Sequence, residues 1–266
     1  MALFISDIDG TLLNPERKLS SVTEATIRRA TNEGHTFVLC SSRPPSSMRG
    51  LETVYGGGGV PLIAYNGGFV VNSAGSVVLD VPIDPAVAMA IYAECERLDL
   101  HCSFYSGEDW FVWGDDKWAQ RETENTVVSP NAELAREYAE SGRLAAAPPH
   151  KIMCMGDPEL IDQVEQMLGT NDQTVTYRSK DTYLEIANAM SSKGAAVAMV
   201  ADELGVPLED VHYFGDNYND LSAFEVVGTS IAVANAKQEV LDAADVITER
   251  HHDDGVAVYL ASQLAN

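Results

Sequence analysis

Phe4-Ile5-Ser6-Asp7-Ile8-Asp9-Gly10-Thr11 is the stretch whose reading decides the fold. The apolar run that leads into it, residues 2–5, reads as a buried strand, and it ends in two aspartates one residue apart followed by a Gly-Thr turn. Side chains alternate along a strand, so an i, i+2 pair starts on one side. Asp7 and Asp9 therefore begin together, although the turn is free to re-aim Asp9. Two unpaired carboxylates held close are costly. A bound cation relieves that cost, and oxygen ligands suit Mg²⁺. A bare Asp-x-Asp would read more readily as a solvated acidic turn. The Gly-Thr and the segments downstream favour a catalytic site.

Outward from this stretch the chain repeats one rhythm. A capping pair, Ser21 and Glu24, opens a helix to about residue 32, with Gly34 beyond it. Residues 35–40 form an apolar second strand that ends in Ser41-Ser42-Arg43-Pro44. A helix through Met48 and Leu51 follows, and residues 61–64 form a third strand before Asn66-Gly67-Gly68. Strands alternating with helices predict a parallel sheet with right-handed crossovers.

The rhythm then breaks. Two short strands flank Asn72-Ser73-Ala74-Gly75, a hairpin signature. A helix is expected over 82–98, strands over 102–105 and 110–113, and helical segments over 115–125 and 131–142. A strand over 151–155, a helix over 158–168 and paired strands over 174–178 and 183–187 complete this part. It mixes antiparallel strands with helices and reads as an inserted α+β domain. The first pattern resumes with a helix over 192–204 and a strand over 211–214 that ends in Gly215-Asp216-Asn217-Tyr218-Asn219-Asp220. Strands over 230–233 and 245–247 and helices over 237–243 and 255–264 follow. The expected architecture is thus α/β, a Rossmann-like doubly wound parallel sheet over 1–81 and 187–266, with an inserted α+β cap over 82–186.

Composition narrows the function classes. The chain has 266 residues, 45% of them hydrophobic, enough for a large core. Its formal net charge of -23 disfavours binding to nucleic acid or an anionic membrane. A small anionic substrate stays possible, because a metal and a few local cations invert the field inside a pocket. The acidity itself fits either a solubility requirement or a salty cytoplasm. Cys40, Cys95, Cys102 and Cys154 form no Cys-x-x-Cys pair, and the N-terminus has no signal-peptide pattern. They read as reduced thiols of a cytoplasmic protein. No apolar run reaches membrane-spanning length. The six histidines form no metal pattern, and His251-His252 reads as solvated.

Polar clusters close three core strands: Asp7/Asp9, Ser41-Ser42-Arg43 and Asp216 to Asp220. Open α/β sheets bind ligands beyond the carboxyl ends of their strands, so these clusters would meet in one crevice. Asp216 and Asp220 can join Asp7 around a metal. Lys193, in Ser191-Ser192-Lys193-Gly194, starts a helix where the macrodipole disfavours a cation. It is either a surface lysine or one placed beside an anion or carboxylates.

These segments, in this order, resemble the haloacid dehalogenase-like hydrolases of the Cof-type phosphatase branch. The resemblance rests on Asp-x-Asp-Gly-Thr, Ser-Ser-Arg-Pro, Ser-Lys-Gly and Gly-Asp-x-x-Asn-Asp and covers essentially the whole chain. The second motif departs from that branch's usual Thr-Gly-Arg-Pro. Ser41 keeps the hydroxyl, while Ser42 places a side chain where backbone normally approaches phosphate, which bears on the fit of the phosphate rather than on the chemistry.

The resemblance implies a Mg²⁺-dependent phosphatase of small phosphorylated metabolites, sugar phosphates first. Asp7 would be the nucleophile that forms an aspartyl-phosphate. Asp9 would protonate the leaving oxygen and then activate water. Asp7, the backbone carbonyl of Asp9 and Asp216 would hold the metal. Asp220 would support either Lys193 or the metal's water shell. Ile8, Ser41, the amide of Ser42, Lys193 and Asn219 would hold the phosphoryl oxygens. Arg43 would contact substrate, Asn66 is either a turn residue or a substrate contact, and Thr11 would orient the loop and Asp9. The cap would close over the core and choose the leaving group, with Trp110, Trp113 and Trp118 serving either as packing or as a cover for a sugar ring. The rivals are a phosphohexomutase and a catalytically silent regulatory protein on the same scaffold. A monomer or a small homo-oligomer is expected.

Overall fold

In a computed structural model, which describes residues 1–169 and 171–264, every residue of β1 (Leu3–Ser6) is buried. β1 has parallel neighbours on both sides: Leu3 pairs with Thr36 of β2 (Thr36–Cys40) and with Val211 of β11 (Val211–Gly215). A strand covered on both faces and both edges needs a continuous apolar run, which Leu-Phe-Ile supplies.

The described residues divide into two compact units, one made of Met1–Leu79 and Ser192–Asn266, the other of Asp80–Ser191. The first holds the larger sheet. After β1 and α1 (Ser21–Asn32) come β2, α2 (Pro45–Tyr55), β3 (Leu62–Ala64), β4 (Phe69–Val71) and β5 (Val77–Asp80). Later in the chain, α8 (Lys193–Glu203), β11, α9 (Leu221–Phe224), β12 (Thr229–Val233), α10 (Gln238–Ala243), β13 (Val246–Thr248) and α11 (Gly255–Gln263) complete it. The strand order is β13-β12-β11-β1-β2-β3-β4-β5, parallel from β13 to β3, with β4 antiparallel to β3.

The order reverses between β1 and β11, so the carboxyl ends of these two strands flank a topological switch point. Ser20 caps α1 by accepting the Thr23 N–H at 3.0 Å, and α1 buries Thr23, Ile27 and Ala30. On one face of the sheet Leu3, Ile5, Val38 and Ile63 pack against Ala196, Val197 and Val200 of α8. Full burial of such side chains contributes about 1.5–3 kcal/mol each. This packing fixes the N-terminus of α8 beside the end of β1.

The second unit contains α3 (Pro85–Leu98), β6 (His101–Ser106), β7 (Asp109–Phe111), α4 (Lys117–Thr126), α5 (Ala135–Glu140), α6 (Arg143–Ala146), β8 (Lys151–Met155), α7 (Pro158–Leu168), β9 (Thr174–Lys180) and β10 (Tyr183–Asn188). Its strands form an antiparallel sheet in the order β7-β6-β8-β10-β9. The helix expected over 131–142 is shorter at both ends, α5 alone, and α6 lies beyond it. Asn131 is bound to the Trp110 backbone through its own N–H (2.7 Å) and its side-chain oxygen (3.0 Å), and Gly142 adopts φ 84 before α6. The helix expected from residue 82 starts at Pro85, where Asp84 accepts the Ala86 N–H at 2.8 Å.

Candidate active site

The β1–β11 ladder continues one step past the strand, with the Asp7 N–H donating to the Phe214 carbonyl at 2.9 Å. Asp7 thus stays on the Leu3/Ile5 side, toward α8. The chain then turns. The Ile8 carbonyl accepts the Leu12 and Leu13 N–H groups at 3.1 and 3.0 Å, and Gly10 takes φ +88. A Cβ at Gly10 would lie 2.5 Å from Asp216 Oδ2, so only glycine lets this loop pass the end of β11.

Lys193 is 1% exposed. Its Nζ donates to Asp7 Oδ1 at 2.7 Å and to Asp220 Oδ1 at 2.6 Å. Burial works to lower its pKa, but Asp220 and Asp7 reverse that and keep it charged well above the usual lysine value. The two carboxylates also offset the unfavourable helix-terminal position. Gly194 lets α8 approach α9, since a Cβ there would meet the Ser222 carbonyl at 2.0 Å.

Asp220 is wholly buried and fully engaged. Its Oδ1 accepts from Lys193 and from the Tyr213 hydroxyl (2.7 Å), and its Oδ2 accepts the N–H groups of Asp216 (2.9 Å) and Asn217 (3.0 Å). It holds the Asp216 loop and Lys193 together. Asp216 accepts the Thr11 hydroxyl on Oδ1 at 2.9 Å. Thr11 was expected to orient the loop and Asp9; its hydroxyl ties the loop to Asp216.

Carboxylate oxygens of Asp7, Asp216 and Asp220 lie within 4.8 Å of one another. Burial raises the Asp7 carboxyl well above its ordinary range, opposed by Lys193 and reinforced by Asp220 and Asp216. Burial, then Asp220, pushes Asp216 up to about 6. Three carboxylates against one ammonium leave a buried excess of negative charge that a divalent cation would neutralise. The donors are all oxygen, which fits a hard cation. Asp220 already carries four hydrogen bonds, so Asp7 and Asp216 are the carboxylates available to one.

Asp9 goes elsewhere. Its side chain is 42% exposed and is held by Arg43, with Nε 2.6 Å from Oδ2 and Nη2 2.8 Å from Oδ1. Arg17 adds a longer contact at 3.4 Å. The i, i+2 expectation fails because β1 ends at Ser6 and the turn at Ile8 re-aims everything after Asp7. The Asp9 carboxylate is paired with arginine rather than grouped with those of Asp7, Asp216 and Asp220. Arg43 is 6% exposed and also donates to Ser47 Oγ at 3.2 Å, so its guanidinium is paired with protein groups in this structure.

The remaining candidates converge on the same end of the sheet. Ser41, 1% exposed, accepts the Arg43 N–H on its hydroxyl at 3.3 Å, and Ser42 is half-buried. The Ile8 side chain is buried in the core and its carbonyl accepts the Leu12 and Leu13 N–H groups. Asn66 sits at φ 57, ψ 31, donates its N–H to the Ser41 carbonyl at 2.9 Å and accepts the Asn219 side-chain amide at 2.9 Å. It is thus a link between the second and fourth motifs as well as a turn residue.

Two supporting residues went unnoticed in the sequence and a third, His251, was read only as solvated. Tyr213 anchors Asp220, as given above. Asn235 donates to the Gly10 carbonyl at 2.8 Å, and its position after β12, at a parallel strand's carboxyl end, was the available signal. His251 donates its N–H to Asn235 Oδ1 at 2.9 Å and pairs Nδ1 with the Leu13 carbonyl at 2.7 Å, so it braces the Asp7 loop instead of being merely solvated. In the second unit, Trp110 is 1% exposed and stacks on Tyr105 at 5.5 Å, and Trp113 packs on the core. Trp118 is half-buried, edge-on to Tyr183 at 5.6 Å.

The chain is also similar to known proteins. The model of the haloacid dehalogenase-like hydrolases matches residues 4–260. The chain belongs to this family. A Haemophilus influenzae protein that bears the provisional name of phosphatase is 31% identical over 262 residues, covering 96% of this chain and 95% of its own. The 5-amino-6-(5-phospho-D-ribitylamino)uracil phosphatase YwtE of Bacillus subtilis is 25% identical over 284 residues, covering 97% and 96%. A solved Thermotoga maritima structure superposes with a TM-score of 0.87 at 27% identity, covering 98% and 97%. The chain is a phosphoric monoester hydrolase of the haloacid dehalogenase-like type. Among the described residues no helix is long and apolar enough to cross a membrane.

Proposed function

We propose that this hydrolase is a Mg²⁺-dependent phosphatase of small phosphorylated metabolites, sugar and polyol phosphates first, and that it acts through an aspartyl-phosphate at Asp7. The observation that carries this reading is the buried Lys193 between Asp7 and Asp220, 2.7 and 2.6 Å away, beside Asp216. The phosphoribityl substrate named for the Bacillus subtilis relative supports the polyol class.

Asp7 attacks phosphorus while Lys193 offsets the repulsion between its carboxylate and the phosphate dianion. A divalent cation held by Asp7, Asp216 and the Asp9 carbonyl would neutralise further charge on the phosphoryl oxygens. Asp220, saturated by its four donors, keeps Lys193 and the Asp216 loop in place. Ser41, the amides of Ile8 and Ser42, and Asn219 hold the transferred group. Asp9 gives a proton to the leaving oxygen and later takes one from water. A carboxylate in a bidentate pair with arginine only accepts, so Asp9 must part from Arg43 to do this.

All of these residues come from the unit of Met1–Leu79 and Ser192–Asn266. We assign choice of leaving group to the Asp80–Ser191 unit, which supplies none of them. Phosphate release over a panel of sugar phosphates, polyol phosphates, nucleotides, pyridoxal phosphate and flavin mononucleotide tests the reading. Turnover should require added Mg²⁺ and stop with EDTA. Full activity in metal-free protein, or no release from any ester with Mg²⁺ present, refutes it.

A further inference from the structure

Three of the four cysteines meet in the core of the Asp80–Ser191 unit, although no spacing in the sequence groups them. Cys95 lies on the buried face of α3 with Ala88, Ile91 and Tyr92. Cys102 of β6 and Cys154 of β8 stand directly opposite each other in the antiparallel ladder. Their sulfurs and that of Cys95 all lie within 4.8 Å of one another, with Cys95 and Cys154 at 3.6 Å, and all three residues are 0% exposed. The surroundings are Leu100, Phe104, Ile161, Val164 and Leu184. A single ion about 2.3 Å from three sulfurs in a plane sets them about 4 Å apart, and closer when the ion sits above that plane. With one pair at 3.6 Å and every pair within 4.8 Å, the cluster can take this spacing with little movement.

Charge selects the ion. Three thiolates with a divalent metal carry a net charge of -1 into an apolar core, which is strongly unfavourable without a partner. Structural zinc also takes four ligands. His101, next to Cys102, does not serve as the fourth. Its Nδ1 pairs with Asp116 at 2.7 Å and its Nε2 with Ser103 at 2.8 Å. A trivalent ion with three thiolates is neutral and needs neither a counterion nor a fourth ligand.

We propose that Cys95, Cys102 and Cys154 form a binding site for a trivalent, thiophilic metalloid, with arsenite as its simplest soluble form. The step is a ligand exchange without redox change. As(OH)₃ and three thiols give As(SR)₃ and three waters: three As–O and three S–H bonds break, and three As–S and three O–H bonds form. Arsenic stays trivalent, and reactants and products are neutral, as the core requires. The product ties α3 to β6 and β8. Burial of the site makes uptake depend on transient opening of α3, so binding is slow and release slower.

The test uses the full chain, reduced and then freed of thiol reagent, with sodium arsenite as the probe. Native mass spectrometry should show one arsenic gained and three hydrogens lost. Thiol titration after denaturation should find one reactive cysteine, Cys40, where the untreated protein has four. The thermal midpoint should rise by a few degrees. Cys40→Ser should bind as the parent does. Cys95→Ala and Cys154→Ala should each lose the one-arsenic, three-hydrogen adduct, with circular dichroism used to verify that they fold. Loss of only two thiols, an unchanged adduct in Cys95→Ala, or no adduct in the parent after incubation at mildly destabilising temperature overturns the proposal.

Discussion

Replacing Lys193 by Met leaves the length of the side chain nearly unchanged and removes the one cation from between two buried carboxylates. In the parent, Nζ lies 2.7 Å from Asp7 and 2.6 Å from Asp220, and the ammonium is wholly buried. Breaking a buried pair by deleting one partner costs about 3–5 kcal/mol, because the stranded charge has neither water nor a counterion. Here two carboxylates are stranded, so the cost should sit at the upper end and should depend on pH. Without Lys193 the Asp7 carboxyl, already raised by burial, rises further. In the window between its value in the parent and its value in the variant, the folded variant binds one more proton than the folded parent. The stability deficit then shrinks by about 1.4 kcal/mol for each pH unit lowered. Urea unfolding of both proteins in EDTA, from pH 8 down to pH 5, measures this directly. Turnover of an aryl phosphate at pH 7 should fall by at least about 10²–10³-fold, the scale of a lost charge-stabilising donor. A deficit that stays constant across this pH range, or a variant that retains a tenth of parental activity, refutes the electrostatic role given to Lys193.

Two further substitutions test other parts of the structure. Glu52 is buried on α2 with Oε1 unpaired, and burial pushes its carboxyl up to about 7 against a smaller pull from Arg49. Its protonated form is the favourable one when folded, so this contribution is complete below about pH 4.5 and is lost as pH rises through 7. Glu52→Gln should therefore stabilise the protein at pH 8 by up to about 3 kcal/mol, with the gain fading to zero at acid pH; an equal gain at pH 4 and pH 8 in urea titrations would contradict this. Trp118→Ala should change the ratio of kcat/KM between a sugar phosphate and an aryl phosphate, whereas Trp110, sealed in the core, should report on stability alone. A ratio unchanged by Trp118→Ala and by other exposed changes across Asp80–Ser191 removes the selecting role from that unit.

The α/β class was legible because the strands that make the parallel sheet are short apolar runs ending in polar turns, and such runs survive translation into structure. Asp7, Asp216 and Asp220 could be placed together because the carboxyl ends of parallel strands converge at a switch point, whereas Lys193, at the start of a helix, was assigned to them only through the family resemblance. Direction was not legible. Whether Asp9 faces Asp7 or Arg43 depends on where β1 stops and how the Ile8 carbonyl is used, and a one-residue difference decides it. Asn131 read as helical because its contact with the Trp110 backbone joins distant segments. The meeting of Cys95, Cys102 and Cys154 depends on the register of β6 against β8, which no local pattern encodes.

The claim that phosphoryl transfer passes through Asp7 is tested most directly by trapping. Enzyme mixed rapidly with excess substrate and Mg²⁺, quenched in acid and reduced with borohydride, should carry homoserine in place of aspartate at position 7, as read by mass spectrometry of the N-terminal peptide. Asp7→Asn should give none. Homoserine at Asp9 or Asp216, or rapid phosphate release with no modified residue at any quench time, would contradict the mechanism.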